Sequence, residues 1–200
     1  WETGQHSAIL RYGNLLPDEL IKTNTEFCLY YSWILISAGQ IQKAEPYLKS
    51  AELTTKKSIQ ESDSTSGKIN YYKKLLGKIS VAFAYLNSYE EHSEKIYDSC
   101  KTALENLSDE DPLWYSWAWF SYGIAHFSNG DMIKSFDAFQ KAFEYSKKSG
   151  NVYLISTIIS RMADNEQQFG NYKSAYKKCS ELLGLMRDKG YEGITKTDWR

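Results

Sequence analysis

Residues 130–150 read GDMIKSFDAFQKAFEYSKKSG and residues 170–190 read GNYKSAYKKCSELLGLMRDKG. Laying Gly130 on Gly170 aligns Asp131 with Asn171, Met132 with Tyr172, Ser135 with Ala175, Phe136 with Tyr176, Phe139 with Cys179, Ala142 with Leu182, Phe143 with Leu183 and Gly150 with Gly190, a period of 40 residues. Within each copy the apolar and small residues fall at steps of three and four, which lines one helix face, and a glycine closes the helix as a left-handed cap would. A further helical pattern precedes each opening glycine, at 114–128 and 152–169. One period is therefore a helix, a tight glycine turn and a second helix, the signature of an α-solenoid.

Working backwards, Gly39, Ala44, Leu48 and Ala51 repeat the places of Gly130, Ser135, Phe139 and Ala142, after an apolar run of Phe27, Cys28, Tyr31, Leu35 and Ala38. Pro46 lies beyond the first turn of that second helix, where it removes an internal hydrogen bond, so a bend or a delayed start is predicted. A fourth copy holds Ala84, Ile96, Cys100 and Ala103 in register, with Glu91 at the turn in place of glycine. The residue seven before each turn is small in every copy (Ser32, Ala84, Gly123, Ala163), as is the residue twelve after it in three (Ala51, Ala103, Ala142, then Leu182). Helices approach most closely where side chains are smallest, so these columns mark the crossings. The polar, small residues 61–68 read as a flexible loop. Residues 108–111 form an acidic turn before Pro112, which starts the next helix.

The organisation predicted is an N-terminal cap segment over 1–24, helical repeats over 25–190 and a tail over 191–200. In the cap segment a short helix over 5–15 turns Ile9, Leu10 and Tyr12 inward. With Trp1 first, no initiating methionine, and Thr197 to Arg200 last, a fragment of a longer protein is expected.

The 24 basic residues against 25 acidic give a net charge of −1, so no basic footprint recruits nucleic acid directly. Cys28, Cys100 and Cys179 are far apart and each falls on an inward-facing place, as small core residues in a reducing compartment do. No apolar run approaches the ~20 residues a membrane-spanning helix needs, and a cytoplasmic location is expected. His6, His92 and His126 are scattered without metal-ligand spacing, and Glu90, Glu91 and Glu94 read as a solvated cluster on a helix start. Neither a phosphate loop nor a nucleophile elbow occurs. The chain is therefore not expected to be an enzyme, and no cofactor or metal site is predicted.

The small columns flanking a glycine turn resemble tetratricopeptide repeats, stretched from 34 residues to about 40. Longer units of this kind resemble the large ATP-dependent LuxR-family regulators of the MalT type. The likeness rests on Leu15 to Gly39 with Leu16, Pro17, Phe27, Cys28 and Trp33, on Ala103 to Pro112, and on Gly130 to Asn151. It implies an all-α, tetratricopeptide-like right-handed superhelix of about four hairpins. It also implies a ligand-sensing or protein-docking domain of such a regulator, whose DNA contact is made by a domain outside this fragment.

In such arrays the first helices line the concave side, through residues six, ten and thirteen before the turn. The ligand-binding candidates are Trp33, Tyr85, Trp117 and Phe120 as stacking surfaces, with Arg161 and Asp164 orienting a polar group. Flat rings beside a few polar groups suit a small-molecule inducer such as a sugar, or the apolar face of a protein or peptide. A tetratricopeptide scaffold or signalling-peptide receptor is the other reading. A carboxylate-clamping adaptor is disfavoured because only Lys78 and Arg161 would supply cations.

Overall fold

Three glycines set the architecture. Gly39, Gly130 and Gly170 have φ of +73°, +76° and +75°, a left-handed conformation that costs glycine nothing. The next residue of each turn reaches back across the helix end, Gln40 N–H to Leu35 O at 2.8 Å, Asp131 N–H to His126 O at 2.9 Å and Asn171 N–H to Glu166 O at 2.9 Å. That crossed pairing satisfies carbonyls left open at a helix C-terminus and turns the chain back on itself. The fourth expected turn, at Glu91, lies outside the described residues: the computed structural model describes residues 6–62, 67–89 and 93–188.

Among these residues the chain is all-α, with ten helices and no strand. Two short helices, α1 (His6–Leu15) and α2 (Asp18–Lys22), precede four hairpins. These pair α3 (Thr25–Ser37) with α4 (Ile41–Glu61), α5 (Gly67–Ser88) with α6 (Ser93–Asn106), α7 (Pro112–Ser128) with α8 (Met132–Ser149), and α9 (Val152–Gln168) with α10 (Tyr172–Asp188). Each second helix also packs on the first helix of the next hairpin, and the first helices α3, α5, α7 and α9 touch in succession. This stack is compatible with a tetratricopeptide-like superhelix.

Local chemistry fixes the starts. Asn24 accepts from Phe27 N–H at 2.9 Å and Asn151 from Leu154 N–H at 2.9 Å, while Asp131 accepts from Lys134 N–H at 3.2 Å and Pro112 opens α7. Such caps each contribute about 1 kcal/mol. The α4 helix begins at Ile41 and runs through Pro46, so of the two predicted alternatives, a bend or a delayed start, the delayed start does not occur. Packing against both α3 and α5 offsets the one missing hydrogen bond. Helix α4 extends to Glu61 and α5 opens at Gly67, so the loop predicted over 61–68 is shorter at both ends, and its centre, 63–66, lies outside the described residues.

The small columns are buried, but they pair differently from the simplest expectation. Ser32 donates to Ala44 O at 3.2 Å, Ala84 packs with Ile96 and Cys100, and a Cβ on Gly123 would lie 2.5 Å from the Phe139 ring. The seven-before column thus meets residues five and nine after the turn. The buried alanine twelve after the turn meets a different small residue, since Ser116 donates to Ala142 O at 2.7 Å. Gly77, at the matching place of α5, gives room to Leu107. In the last hairpin Leu182 is buried against Ile155 and Ile159.

Two expectations fail at the ends of the stack. Ile9 and Leu10 pack on the core, whereas Tyr12 is exposed, and Cys179 is exposed while Cys28 and Cys100 are buried. Periodicity selects a face, but at an end of the stack nothing among the described residues covers it. The buried thiols are inert: burial pushes Cys28 up to about 11 and raises Cys100 as well, and Cys28 Sγ donates to Ile21 O at 3.2 Å.

Candidate functional site

The helix that decides the site is α7, which is apolar nearly all round and so contacts neighbours on several sides. Its inner face carries Trp114, Trp117 and Phe120. Trp117 meets Trp33 of α3 edge-on at 4.9 Å between ring centres and Tyr85 of α5 at 5.2 Å, and Trp33 stacks on Tyr85 at 5.2 Å. Phe120 closes the group against Trp117 at 5.4 Å and Phe139 at 5.7 Å. The four aromatic candidates are therefore brought together, by three successive hairpins.

Their faces, however, are not open. Trp33, Tyr85, Trp117 and Phe120 are 2, 8, 1 and 1 % exposed. In the first three hairpins these four rings lie in the seam where first helices touch, which corrects the expectation of free stacking surfaces at them. Arg161 and Asp164 lie apart from this cluster as an exposed ion pair at 3.4 Å. Lys78, a candidate cation, is engaged by Asp111 at 2.8 Å and lies over the Trp114 ring at 5.7 Å.

What remains at the surface of the first helices is a set of tyrosines that the sequence reading passed over. The Tyr85 hydroxyl is hydrogen-bonded to Tyr153 and lies 2.9 Å from that of Tyr89, and both partners are more than half exposed. Burial, then the neighbouring hydroxyl of Tyr153, raises the Tyr85 pKa, so its proton stays in place as a donor. Further along, the exposed Tyr71 donates to Glu26 at 3.0 Å. Tyrosine at −2 and −17 relative to the turns follows no column in the repeat, so periodicity alone gave no signal.

The opposite face of α7 builds a second feature. Tyr115, Trp119, Tyr122 and His126 recur at steps of four, three and four along it. Trp119 is half-buried. With Tyr122 it lines an open groove of about 490 Å³ against Tyr97, Asp98, Lys101, Leu104 and Glu105 of α6. Lys141 of α8 lies over the Trp119 ring at 4.2 Å, while the indole N–H is buried without a hydrogen-bond partner. The corresponding space at the next junction is filled by Phe143, Ile155, Ile159 and Leu182. Ala142 stands where Leu182 stands one period later.

At the rim of this groove His126 is nearly buried, with Nδ1 3.0 Å from the Tyr97 hydroxyl, whose oxygen accepts from Asn129 at 3.2 Å. That pattern fits a neutral ring accepting the tyrosyl proton. Burial lowers the His126 pKa below 6.5, against the opposing pull of Asp131. His6 is described only in its backbone and His92 lies outside the described residues. Among the described residues no group of three or more His, Cys, Asp or Glu side chains converges on a metal position, and no helix is long and apolar enough to cross a membrane. The chain matches no protein-family model and no curated protein sequence, so its function is argued from this geometry.

Proposed function

We propose that the chain is the docking portion of a larger regulator: a helical-repeat module whose first-helix face receives a protein or peptide. The observation that carries this reading is the closure of the ring cluster beneath that face while Tyr71, Tyr89, Tyr153, Arg161 and Asp164 stay at its surface. Tyrosine and arginine on a rigid helical surface supply contact area and hydrogen bonds at low ordering cost, the composition that protein interfaces favour. Within the resemblance to MalT-type LuxR-family regulators, this face is the concave side of a right-handed superhelix in a cytoplasmic protein. The chain itself makes no contact with DNA or membrane and performs no catalysis.

A second reading, small-molecule sensing, is favoured by one feature, the α6–α7 groove. Its volume falls within the range of ligand pockets, roughly 300 to 1,000 Å³, and Trp119 and Tyr122 give it aromatic walls. Calorimetric titration with a peptide panel and an oligosaccharide panel separates the two. Docking on the first-helix face requires that Tyr153→Ala and Arg161→Glu weaken a peptide about tenfold each, about 1.4 kcal/mol, and that Trp119→Ala leave it alone. An oligosaccharide bound and then lost on Trp119→Ala, with no peptide bound, replaces the docking reading by the sensor reading.

A further inference from the structure

The groove between α6 and α7 has the make-up of a cation cage. Tyr97, Trp119 and Tyr122 line it with Leu104, and Tyr122 stands edge-on to Tyr97 at 5.4 Å and 83° and to Trp119 at 5.9 Å and 82°. Rings crossed nearly at right angles form corners in which more than one π face can meet the same guest. The negative face of each ring attracts a cation, and that of tryptophan does so most strongly. The molecule already uses one of these rings in that way, since Lys141 Nζ of α8 lies 4.2 Å from the Trp119 ring centre.

The charges around the groove agree. Helix α6 contributes Asp98, Lys101 and Glu105 to its wall, two carboxylates against one ammonium, all three exposed. Neither carboxylate is held in an ion pair among the described residues. Lys101 can carry its ammonium out to water on its long stem, whereas the rings are held in place. The Tyr97 hydroxyl is fixed by His126 Nδ1 at 3.0 Å and by Asn129 at 3.2 Å, and Trp119 meets Tyr115 edge-on at 6.4 Å on its other side from Tyr122 in the sequence of α7. His126, accepting the tyrosyl proton, brings no charge to the rim. A wall set in advance spares a ligand the cost of ordering it.

We propose that this groove binds a small organic ammonium ion, with a quaternary ammonium such as that of choline as its preferred guest. A primary ammonium is compact and strongly hydrated, and its N–H donors need partners that a ring wall does not supply. A quaternary ammonium has no N–H to satisfy and spreads its charge over methyl groups, which pack on the rings and on Leu104. Asp98 and Glu105 balance that charge without having to bond to it. The inference is independent of peptide docking on the first-helix face, and it assigns the groove a charged guest where the sensor reading offers it a neutral sugar.

The test is calorimetric and proton NMR titration of the whole chain with choline, with tetramethylammonium, and with the neutral isostere of choline that carries a tert-butyl group in place of trimethylammonium. The expected result is binding of both cations in the millimolar range or tighter, with their methyl signals moved upfield by the ring currents. The neutral isostere should bind about tenfold more weakly, the scale of one desolvated cation–π contact. Trp119→Ala should abolish the upfield shift, Glu105→Gln should weaken both cations, and Lys141→Met should tighten them by removing a like charge beside Trp119. Glu105 and Lys141 are exposed, so these two variants carry the test if a thermal melt shows that Trp119→Ala is unfolded. A wild-type chain that binds neither cation overturns the proposal, and so does one that binds the neutral isostere as tightly as choline. Affinity for choline unchanged in both Glu105→Gln and Lys141→Met overturns it as well, since the guest then sits elsewhere.

Discussion

Trp117 touches rings from α3, α5 and its own helix, and it is 1 % exposed. Removing a buried ring of this size costs about 3 to 5 kcal/mol, so Trp117→Ala should lower the urea midpoint steeply. Arg161→Ala, which breaks one exposed ion pair, should move it by less than about 0.5 kcal/mol. Glycines divide in the same way. Gly123→Ala pushes a methyl group into the Phe139 ring and should destabilise by about 1 to 3 kcal/mol despite the better helix propensity of alanine. Gly184 in α10 has open space around its Cβ position, so Gly184→Ala should stabilise by up to about 1 kcal/mol in the same unfolding measurement. The turn glycines were legible in the sequence because a left-handed helix end has so few other occupants. The fate of the aromatic candidates was not, since spacing from a turn gives a helix face but not how closely the next hairpin approaches it. Trp33 and Trp117 are separated by 84 positions of sequence and meet only because α3, α5 and α7 stack.

At the scale of the helix and its turn, two titrating groups occupy the same place, four residues before a turn glycine. His126 in the third hairpin has its pKa lowered by burial, and Glu166 in the fourth has its pKa lowered on balance. For Glu166 burial pushes upward, but hydrogen bonds from Asn171 at 3.0 Å and Ser174 at 2.9 Å, with Lys178 at 3.3 Å, outweigh it. A group whose folded pKa is depressed binds fewer protons folded than unfolded, so its stabilisation is present at higher pH and lost as pH falls. The urea midpoint should therefore decline between about pH 7 and about pH 5 through His126 and decline again through the carboxylate range through Glu166. His126→Gln should flatten the first step and Glu166→Gln the second. A midpoint constant from neutral to mildly acid pH would show that His126 is as easily protonated folded as unfolded. Pro46 belongs to this scale too: it argued for a bend or a delayed start, and the helix, packed between α3 and α5, starts on time at Ile41.

Across the whole molecule burial is uneven. Helix α7 buries ten residues, whereas Leu182 is the buried position among the described side chains of α10. In a stack where each hairpin contacts only its neighbours, opening proceeds from the ends. Amide hydrogen exchange should therefore be fastest in α10 and in α1, and slowest in α7. Equal protection of α10 and α7 would contradict this order. Four hairpins and their sequence order were readable because a repeat states the same packing several times over. The α6–α7 groove was not readable, because its walls, Tyr97, Lys101 and Leu104 of α6 with Trp119 and Tyr122 of α7, come from two hairpins whose approach no column of the repeat states.

The contact of Trp33, Tyr85 and Trp117 also makes the array visible to light. Three chromophores with centres 4.9 to 5.2 Å apart, held at interplanar angles of 74°, 23° and 53°, couple their electronic transitions in a fixed chiral arrangement. Each ring comes from a different hairpin, so the resulting near-ultraviolet circular dichroism reports the mutual register of the first three hairpins. Far-ultraviolet dichroism reports only that helices exist. A chain whose hairpins are formed but have slipped past one another would keep the second signal and lose the first.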